Sequence, residues 1–294
     1  MRALGTIVGL VLVGLATPLA GPPAATSTLI ATGDLASQLE DPALVILHIA
    51  EDTSDYTRAH IPGARFVRYG SVAPSGPEDL GAELPPEASL QALFEGVGVS
   101  DQSRVVIYGH PVLASRVFFT LDAVGHSRVA LLDGGLKAWQ AEGRPVESGP
   151  ARSADTRRAS FTPRVNSGRL ATADWIRANA GKMALVDVRP DPEFTGSDGG
   201  MGGMHPVGHI EGAKQLPWNT LVDKDGRFLP TDQLRAKLQA AGAHGDQPVV
   251  AYCMIGMRAS VVYFVARHLG LDARLYDGSI VDWGRRQLPT KTGR

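Results

Sequence analysis

The sequence is short of cysteine, of surplus charge and of long apolar segments. It has one cysteine in 294 residues, 29 basic against 30 acidic side chains, and a formal net charge of -1. A single cysteine excludes an intramolecular disulfide and a four-cysteine zinc or iron–sulfur site within one chain. The balanced charge leaves no basic surplus to hold nucleic acid or an acidic membrane by bulk electrostatics, so we predict no nucleic-acid partner.

Apolar sequence, by contrast, is abundant. Hydrophobic residues make up 44% of the chain and charged residues 20%. This apolar fraction is ample for packed cores, and the length of 294 residues predicts roughly two ordinary domains. The composition therefore argues against a wholly disordered or collagen-like chain.

The first 25 residues predict a secretory signal peptide. Arg2 is the only charge before an apolar run from Ile7 to Ala16, and small residues suited to cleavage after Ala20 or Ala25 follow. The run is shorter than the roughly 20 residues that span a bilayer, which disfavours the alternative of an uncleaved anchor. We therefore expect export to the bacterial periplasm, with membrane contact only through the leader if it stays uncleaved.

The remainder of the chain contains an internal repeat. HIPGA at His60 matches HIEGA at His209, and LLDGGLKAW, which starts at Leu131, matches LYDGSIVDW, which starts at Leu275. The second half has about ten extra residues, which fall in the glycine-rich segment 195–204. Three pairs of residues each lie 144 positions apart: Tyr108 and Tyr252, Asp133 and Asp277, Trp139 and Trp283.

Each half has the pattern of an α/β domain. Short runs rich in Val, Leu and Ile alternate with helical patterns, which predicts a mainly parallel sheet flanked by helices. We predict an N-terminal domain over residues 26–145 and a C-terminal domain over residues 169–294. Residues 146–168 contain Ser, Pro and Arg without apolar periodicity, and we interpret them as an exposed linker.

The duplicated motifs, in this order and spacing, resemble the tandem-domain rhodanese-type sulfurtransferases, the thiosulfate and 3-mercaptopyruvate sulfurtransferase family. The resemblance spans nearly all of the chain after the leader. It implies two tandem rhodanese-like domains, of which only the C-terminal one is catalytic. Gly109 stands in the N-terminal half where Cys253 stands in the C-terminal half. The resemblance further implies sulfur transfer through a cysteine persulfide, without a metal or organic cofactor.

Cys253 is the predicted nucleophile. It follows an apolar strand pattern and precedes a helical pattern that starts after Arg258. Backbone N–H groups and the helix dipole in such a loop favour a thiolate and an anionic persulfide sulfur. Arg258 adds a permanent cation suited to thiosulfate or sulfite. The alternative is a small buried hydrophobe. The predicted substrate contacts in this loop are Met254, Ile255, Gly256, Met257 and Arg258.

Two other functions share this cysteine loop. Arsenate reductases and dual-specificity phosphatases have a similar topology, but a phosphatase loop generally places its arginine six positions after the cysteine. Arg258 lies five positions after Cys253, and Tyr252 replaces the histidine that usually precedes a phosphatase cysteine. These differences favour sulfur chemistry. A non-enzymatic module of the same fold that binds or senses sulfur remains an alternative.

Further site residues follow from the resemblance. Asp187 and Arg189 end the first strand of the second half, at the edge where α/β sheets bind ligands. We predict substrate binding by Arg189 and support from Asp187, with a surface ion pair as the alternative. Trp218 matches a position that often lines the pocket. Thiosulfate-specific animal relatives have an arginine and a lysine where Glu193 and Ile255 stand here.

The predicted partners are small molecules or thiols. We expect an anionic sulfur donor such as thiosulfate, with 3-mercaptopyruvate as the alternative, and cyanide or a thiol, including a protein thiol, as acceptor. His60 and His209 occupy duplicated positions, which predicts a shared structural hydrogen bond. Soft ligands near the glycine-rich segment suit copper in an exported protein, but an insertion partly covering the active site is favoured and we predict no metal. Those ligands are Met201, Met204, His205 and His209.

Overall fold

The computed structural model describes residues 27–74, 83–151, 159–203 and 205–294. These residues form two five-stranded sheets, one in each half, with parallel pairing throughout. The predicted α/β fold with two tandem domains is therefore confirmed. The predicted leader, Met204 and part of the predicted linker lie outside the described residues.

The N-terminal sheet has the strand order β1-β5-β4-β2-β3. Its strands are β1 Leu29–Ile30, β2 Leu44–Ala50, β3 Arg65–Arg68, β4 Arg104–Gly109 and β5 Val129–Leu132. The helices of this half are α1 Thr32–Ala36, α2 Ser54–Arg58, α3 Glu87–Gly96, α4 Pro111–Ala123 and α5 Gly135–Ala141.

The C-terminal sheet repeats this arrangement as β6-β10-β9-β7-β8. Its strands are β6 Leu170–Ala171, β7 Ala184–Asp187, β8 Lys214–Gln215, β9 Val249–Tyr252 and β10 Ala273–Tyr276. Its helices are α6 Ala173–Ala178, α7 Asp191–Thr195, α8 Gly200–Gly203, α9 Thr231–Ala240, α10 Ala259–His268 and α11 Ser279–Arg285. Among the described residues, no helix is both long and apolar enough to cross a membrane.

Both faces of each sheet are buried, and this explains the continuous apolar strand sequences. In β4, Val105 and Ile107 pack in one core while Val106 and Tyr108 pack in another. Successive strand residues point to opposite faces, so a sheet covered on both sides needs apolar residues at every position. The inner faces of the two sheets contribute to a single core, which joins the halves.

Helices α4 and α10 form the centre of the contact between the two halves. The rings of Phe119 and Tyr263, which are 144 positions apart, meet edge to face with their centroids 5.0 Å apart. Tyr263 Oη donates a hydrogen bond to Asp122 at 2.5 Å, and Arg267 Nε donates to the same carboxylate at 2.8 Å. Buried polar groups are therefore paired across this contact.

The two halves also contact each other reciprocally. The Leu84 N–H donates to the carboxylate of Asp277 at 2.7 Å, and the Phe228 N–H donates to that of Asp133 at 2.9 Å. Donors and acceptors are each 144 positions apart in the sequence. The repeat is therefore a symmetry of the domain contact as well as of the individual domains.

The duplicated histidines have a structural role, as predicted. The rings of His60 and His209 stack on Tyr56 and Phe194, with centroids 3.9 Å apart in each pair. Each Nδ1 donates to the backbone carbonyl of its stacking partner, at 2.8 Å for His60 and 2.9 Å for His209. The prediction of a shared structural hydrogen bond is confirmed.

The residues that follow the glycine-rich segment pack against the C-terminal tail. A Cβ on Gly208 would lie 2.1 Å from the carbonyl oxygen of Lys291, so only glycine fits at this approach. The His209 N–H donates to the same carbonyl at 2.9 Å. His205 Nδ1 donates to the Pro206 carbonyl at 3.0 Å. In the described ranges, no three His, Cys, Asp or Glu side chains group as metal ligands would. Cover of the active site by this segment stays a prediction.

Candidate active site

Cys253 directly follows β9, at the carboxyl edge of the C-terminal sheet, and its side chain is buried. Its N–H donates to Ser279 Oγ at 3.1 Å, and its carbonyl accepts from the Ile280 N–H at 3.2 Å. Ser279 has a φ of 52°, a left-handed conformation uncommon outside glycine. The strand and the start of α11 together therefore fix the backbone that bears the sulfur.

The loop from the strand to α10, which we call the Cys253 loop (residues 253–258), depends on Gly256. The φ of Gly256 is +84°. A Cβ at this position would lie 2.5 Å from the carbonyl oxygen of Asp277 and 2.8 Å from its Oδ1. Real Cβ atoms do not approach other atoms so closely, so the loop packs on Asp277 only because residue 256 is glycine. Asp277 is therefore part of the wall that shapes the loop.

The cation of the Cys253 loop is shared with a carboxylate. Both terminal nitrogens of Arg258 donate to Glu193, each at 2.8 Å. The Arg258 side chain is 25% exposed. Burial lowers the pKa of Arg258, but its interactions with Glu193 and Cys253 raise it by more, so its pKa lies above the usual range. Arg258 thus stays a cation beside the thiol, and Glu193 offsets part of its charge.

The three apolar side chains of the loop are half-buried. Met254 packs against the core on the outer face of the sheet, whereas Ile255 and Met257 pack against the core shared by the two halves. Cys253 itself belongs to the core shared by the two halves. Their contact with a substrate stays a prediction.

Arg189 and Asp187 are joined in a fully buried ion pair. Arg189 Nε and Nη2 donate to the Asp187 carboxylate, the shortest contact being 2.6 Å. Nη2 also donates to the Gly208 carbonyl at 2.7 Å. Burial lowers the pKa of Arg189 and Asp187 raises it, with a net increase. The pair is buried rather than on the surface, and the predicted substrate contact would fall to Nη1, which has no partner among the described residues.

Trp218 contacts the other half of the molecule. It begins a short 3-10 turn, and its ring meets that of His110 edge to face at 5.7 Å. His110 follows Gly109, the counterpart of Cys253. The structure therefore places Trp218 against the N-terminal counterpart of the Cys253 loop, and its predicted part in the Cys253 pocket stays a prediction.

Sequence reasoning missed one charged residue near the loop. Arg116 lies in α4 of the N-terminal half, is fully buried, and places Nη1 2.5 Å from Asp277 Oδ1. No local motif marks it, because its partner is 161 positions away. The duplicated aspartate–glycine motif marked Asp277 but gave no hint of its contact with Gly256.

The chain is similar to sulfur-handling proteins over most of its length. A family model of the rhodanese-like domain matches residues 31–142 and 172–286. The sulfur carrier protein TtuD of Thermus thermophilus is 33% identical, over 87% of this chain and 93% of its own. A Synechococcus elongatus protein provisionally named thiosulfate sulfurtransferase is 30% identical, over 95% of this chain and 90% of its own.

Solved structures agree with this similarity. SseA of Escherichia coli, a 3-mercaptopyruvate sulfurtransferase, has a TM-score of 0.74 and 25% identity, over 86% of this chain and 99% of its own. YnjE has a TM-score of 0.81 and 25% identity, over 91% of this chain and 68% of its own. Both comparisons extend across the two halves of the described fold.

Proposed function

Because the chain belongs to the rhodanese-like family, we propose that it is a sulfurtransferase that holds sulfane sulfur as a persulfide on Cys253. One observation supports this most directly. The only cysteine of the chain is buried at the end of β9, in a loop that begins α10 and has Arg258 beside the thiol. A buried thiol between a helix N-terminus and a guanidinium suits reaction with an anionic sulfur compound.

The first step forms the persulfide. The Cys253 thiolate attacks the outer sulfur of thiosulfate, a bond forms between the two sulfurs, and the sulfur–sulfur bond of the donor breaks. Its electron pair leaves with sulfite, so the persulfide carries one negative charge and sulfite two. Arg258 stabilises the anions, because guanidinium matches the planar arrangement of oxyanion acceptors.

The second step returns the thiolate. An acceptor, cyanide or a thiol that includes protein thiols, attacks the outer sulfur of the persulfide, and the electron pair of the broken bond stays on Cys253. No metal ion or organic cofactor is needed for this exchange. Since Cys253 is the only cysteine, no second thiol of the same chain competes as acceptor.

The donor we favour is thiosulfate. Arg258 ends the loop with a cation, and apolar Met254 and Ile255 offer no hydrogen-bond donors for a carbonyl substrate. The similarity to SseA, a 3-mercaptopyruvate sulfurtransferase, favours 3-mercaptopyruvate as a second candidate donor. The similarity to TtuD, named a sulfur carrier, favours a module that accepts sulfur and delivers it without repeated turnover.

We also propose that the protein is exported to the periplasm. The basis is the sequence of the leader, which lies outside the described residues. N-terminal sequencing of protein from the periplasmic fraction tests this proposal. A mature chain that starts after Ala20 or Ala25 is expected, and a full-length cytoplasmic chain would contradict it.

The persulfide is tested by intact mass. Wild-type protein treated with thiosulfate should gain the mass of one sulfur and lose it again on addition of cyanide. Cys253→Ser should gain none. If wild-type protein gains no sulfur from thiosulfate or 3-mercaptopyruvate, the proposed function is wrong. Repeated turnover with cyanide or a dithiol then distinguishes an enzyme from a carrier.

A further inference from the structure

The reciprocal contact of the two halves relates Trp218 to Tyr69. Tyr69 lies nine positions after His60, and Trp218 lies nine positions after His209. Trp218 crosses the domain contact to meet His110, the residue after Gly109. The same symmetry predicts that Tyr69 of the N-terminal half faces the Cys253 loop of the C-terminal half, and both Tyr69 and Cys253 belong to the core shared by the two halves.

The environment of Tyr69 agrees with that position. Its side chain is buried, and its hydroxyl has no hydrogen-bond partner among the described residues. Burial raises the pKa of Tyr69 well above its usual value, Arg116 lowers it, and Cys253 is the next contributor that raises it. The phenol therefore keeps its proton, within electrostatic reach of the thiol and of Arg116. An unpaired buried hydroxyl is costly, so an acceptor is expected when the site is occupied.

Arg116 connects the same region to the Cys253 loop. It donates to both carboxylate oxygens of Asp277, at 2.5 and 3.4 Å, and its Nε has no partner among the described residues. Asp277 is the residue on which Gly256 packs. A charge that is fully buried in one half therefore holds the wall of the loop in the other half.

We propose that the Tyr69 hydroxyl donates a hydrogen bond to the oxyanion of the sulfur donor, and that Arg116 is a positioning residue that holds Asp277 against Gly256. This inference rests on the sulfurtransferase function proposed above. Both residues belong to the half of the chain that has no cysteine.

The chemistry explains why a group across from the Cys253 sulfur meets the oxyanion. Cys253 attacks the outer sulfur, so the bond to the leaving sulfite extends away from the Cys253 sulfur. The departing electron pair adds negative charge to sulfite, and a phenol O–H that keeps its proton stabilises that charge by hydrogen bonding. The persulfide that remains on Cys253 no longer has this oxyanion. Tyr69 should therefore act in persulfide formation and not in transfer to the acceptor.

The test separates the two half-reactions of Tyr69→Phe. The concentration of thiosulfate that half-saturates persulfide formation, followed by rapid-quench intact mass, should rise about tenfold because a hydrogen bond to a charged group is lost. Cyanide should remove sulfur from preloaded Tyr69→Phe at the wild-type rate. Tyr108→Phe is the control, since this buried phenol accepts from the Ile61 N–H and lies in the N-terminal core. It should lower the melting temperature without changing the half-saturating concentration.

The control for Arg116 is the ion pair between Arg227 and Asp133, at the corresponding place in the other half. Arg116→Met should lower the maximal rate of persulfide formation at least fivefold, and Arg116→Lys should restore part of it. Arg227→Met removes the cation near Asp133, the counterpart of Asp277, and should affect only the melting temperature. If Arg227→Met and Arg116→Met lower the maximal rate of persulfide formation equally, the role of Arg116 is only structural. The proposal that it positions the Cys253 loop is then overturned.

The remaining outcomes are also decisive. An unchanged half-saturating concentration in Tyr69→Phe, or equal slowing of both half-reactions, overturns the role of Tyr69. A wild-type protein that gains no sulfur from any donor overturns the proposed function and this inference together. A wild-type protein that gains sulfur while Tyr69→Phe behaves identically leaves the proposed function intact and overturns only the inference.

Discussion

The two strand-to-helix connections of the repeat are built differently. In the C-terminal half, six residues separate β9 from α10, and this loop contains the cysteine. In the N-terminal half, β4 ends at Gly109 and α4 begins at Pro111, so His110 alone separates them. The His110 side chain accepts from the Val112 N–H and caps the helix. The half without a cysteine therefore also lacks the loop in which a sulfur anion would lie.

The difference extends to the position of the cysteine itself. Gly109 has a φ of +152°, and a Cβ there would lie 2.4 Å from the carbonyl oxygen of Ile49. The neighbouring strand occupies the space that a cysteine side chain would need. A cavity of about 370 Å³ still opens beside Gly109, lined by His48 and Lys137 among others. The two domains thus differ in the backbone path of this connection, although their sheets have the same strand order.

The largest effect is expected from restoring the missing cysteine. In a Cys253→Ser background, Gly109→Cys should gain no sulfur from thiosulfate. The clash with Ile49 and the unfavourable φ should lower the free energy of unfolding by about 3–5 kcal/mol. Intact mass and urea unfolding measure the two results. Recovery of a persulfide would show that the cysteine alone makes the difference between the halves.

Gly96→Cys is the matched control. Gly96 is in the same half, and a Cβ there meets nothing within 4 Å. The variant should have the free energy of unfolding of its parent. This result would attribute the lower stability of Gly109→Cys to the surroundings of residue 109 and not to an added thiol.

Sequence patterns predicted the features that are local or repeated. The apolar strand runs and the 144-residue spacing of motifs indicated two parallel α/β domains, because a sheet buried on both faces imposes its pattern on every strand. The strand, loop and helix around Cys253 are likewise consecutive in sequence, with α10 starting directly after Arg258. Duplication also separated the structural histidines His60 and His209 from catalytic candidates.

Contacts between distant segments could not be predicted in this way. Arg258 was predicted to be a permanent cation, but nothing in the sequence indicated that Glu193, 65 positions earlier, binds both of its terminal nitrogens. Nothing in the sequence indicated that the ring of Trp218 meets that of His110 in the other half. Each of these positions depends on how two elements pack, and neither has a periodicity or motif that records it.

The two sheets have different ionisable residues at one matching strand position, and this difference leads to a pH prediction. His48 pairs with Tyr108 in the N-terminal sheet, where Asp187 pairs with Tyr252 in the C-terminal sheet. Burial lowers the pKa of His48 to about 4, Asp55 opposes this, and His60 lowers it further. As the pH falls, His48 therefore takes up its proton in the unfolded chain before it does so in the folded protein. The stability contributed by neutral His48 is present above about pH 6.5 and declines toward pH 4.

The expected decline is about 2–3 kcal/mol in the free energy of unfolding. It is measured as the difference between wild type and His48→Phe in urea unfolding at pH 7.5 and pH 4.5. His126 is also buried, and burial lowers its pKa, but this contribution is common to both proteins and cancels. A difference that does not change with pH would mean that folding does not lower the pKa of His48.

The smallest effect is expected where the Cys253 loop gains a free cation. Glu193→Gln removes the carboxylate that shares Arg258, so the guanidinium should attract an anionic donor more strongly. The concentration of thiosulfate that half-saturates persulfide formation should fall roughly threefold, and the gain should shrink as salt screens the charges. Asp191→Asn is the control, since it removes one acidic charge from the same helix but pairs with Arg294 instead. Weaker donor binding in Glu193→Gln than in Asp191→Asn would mean that Glu193 orients Arg258 toward the thiol. Glu193 would then support donor binding at the Cys253 loop by positioning Arg258, instead of only offsetting the positive charge of the guanidinium.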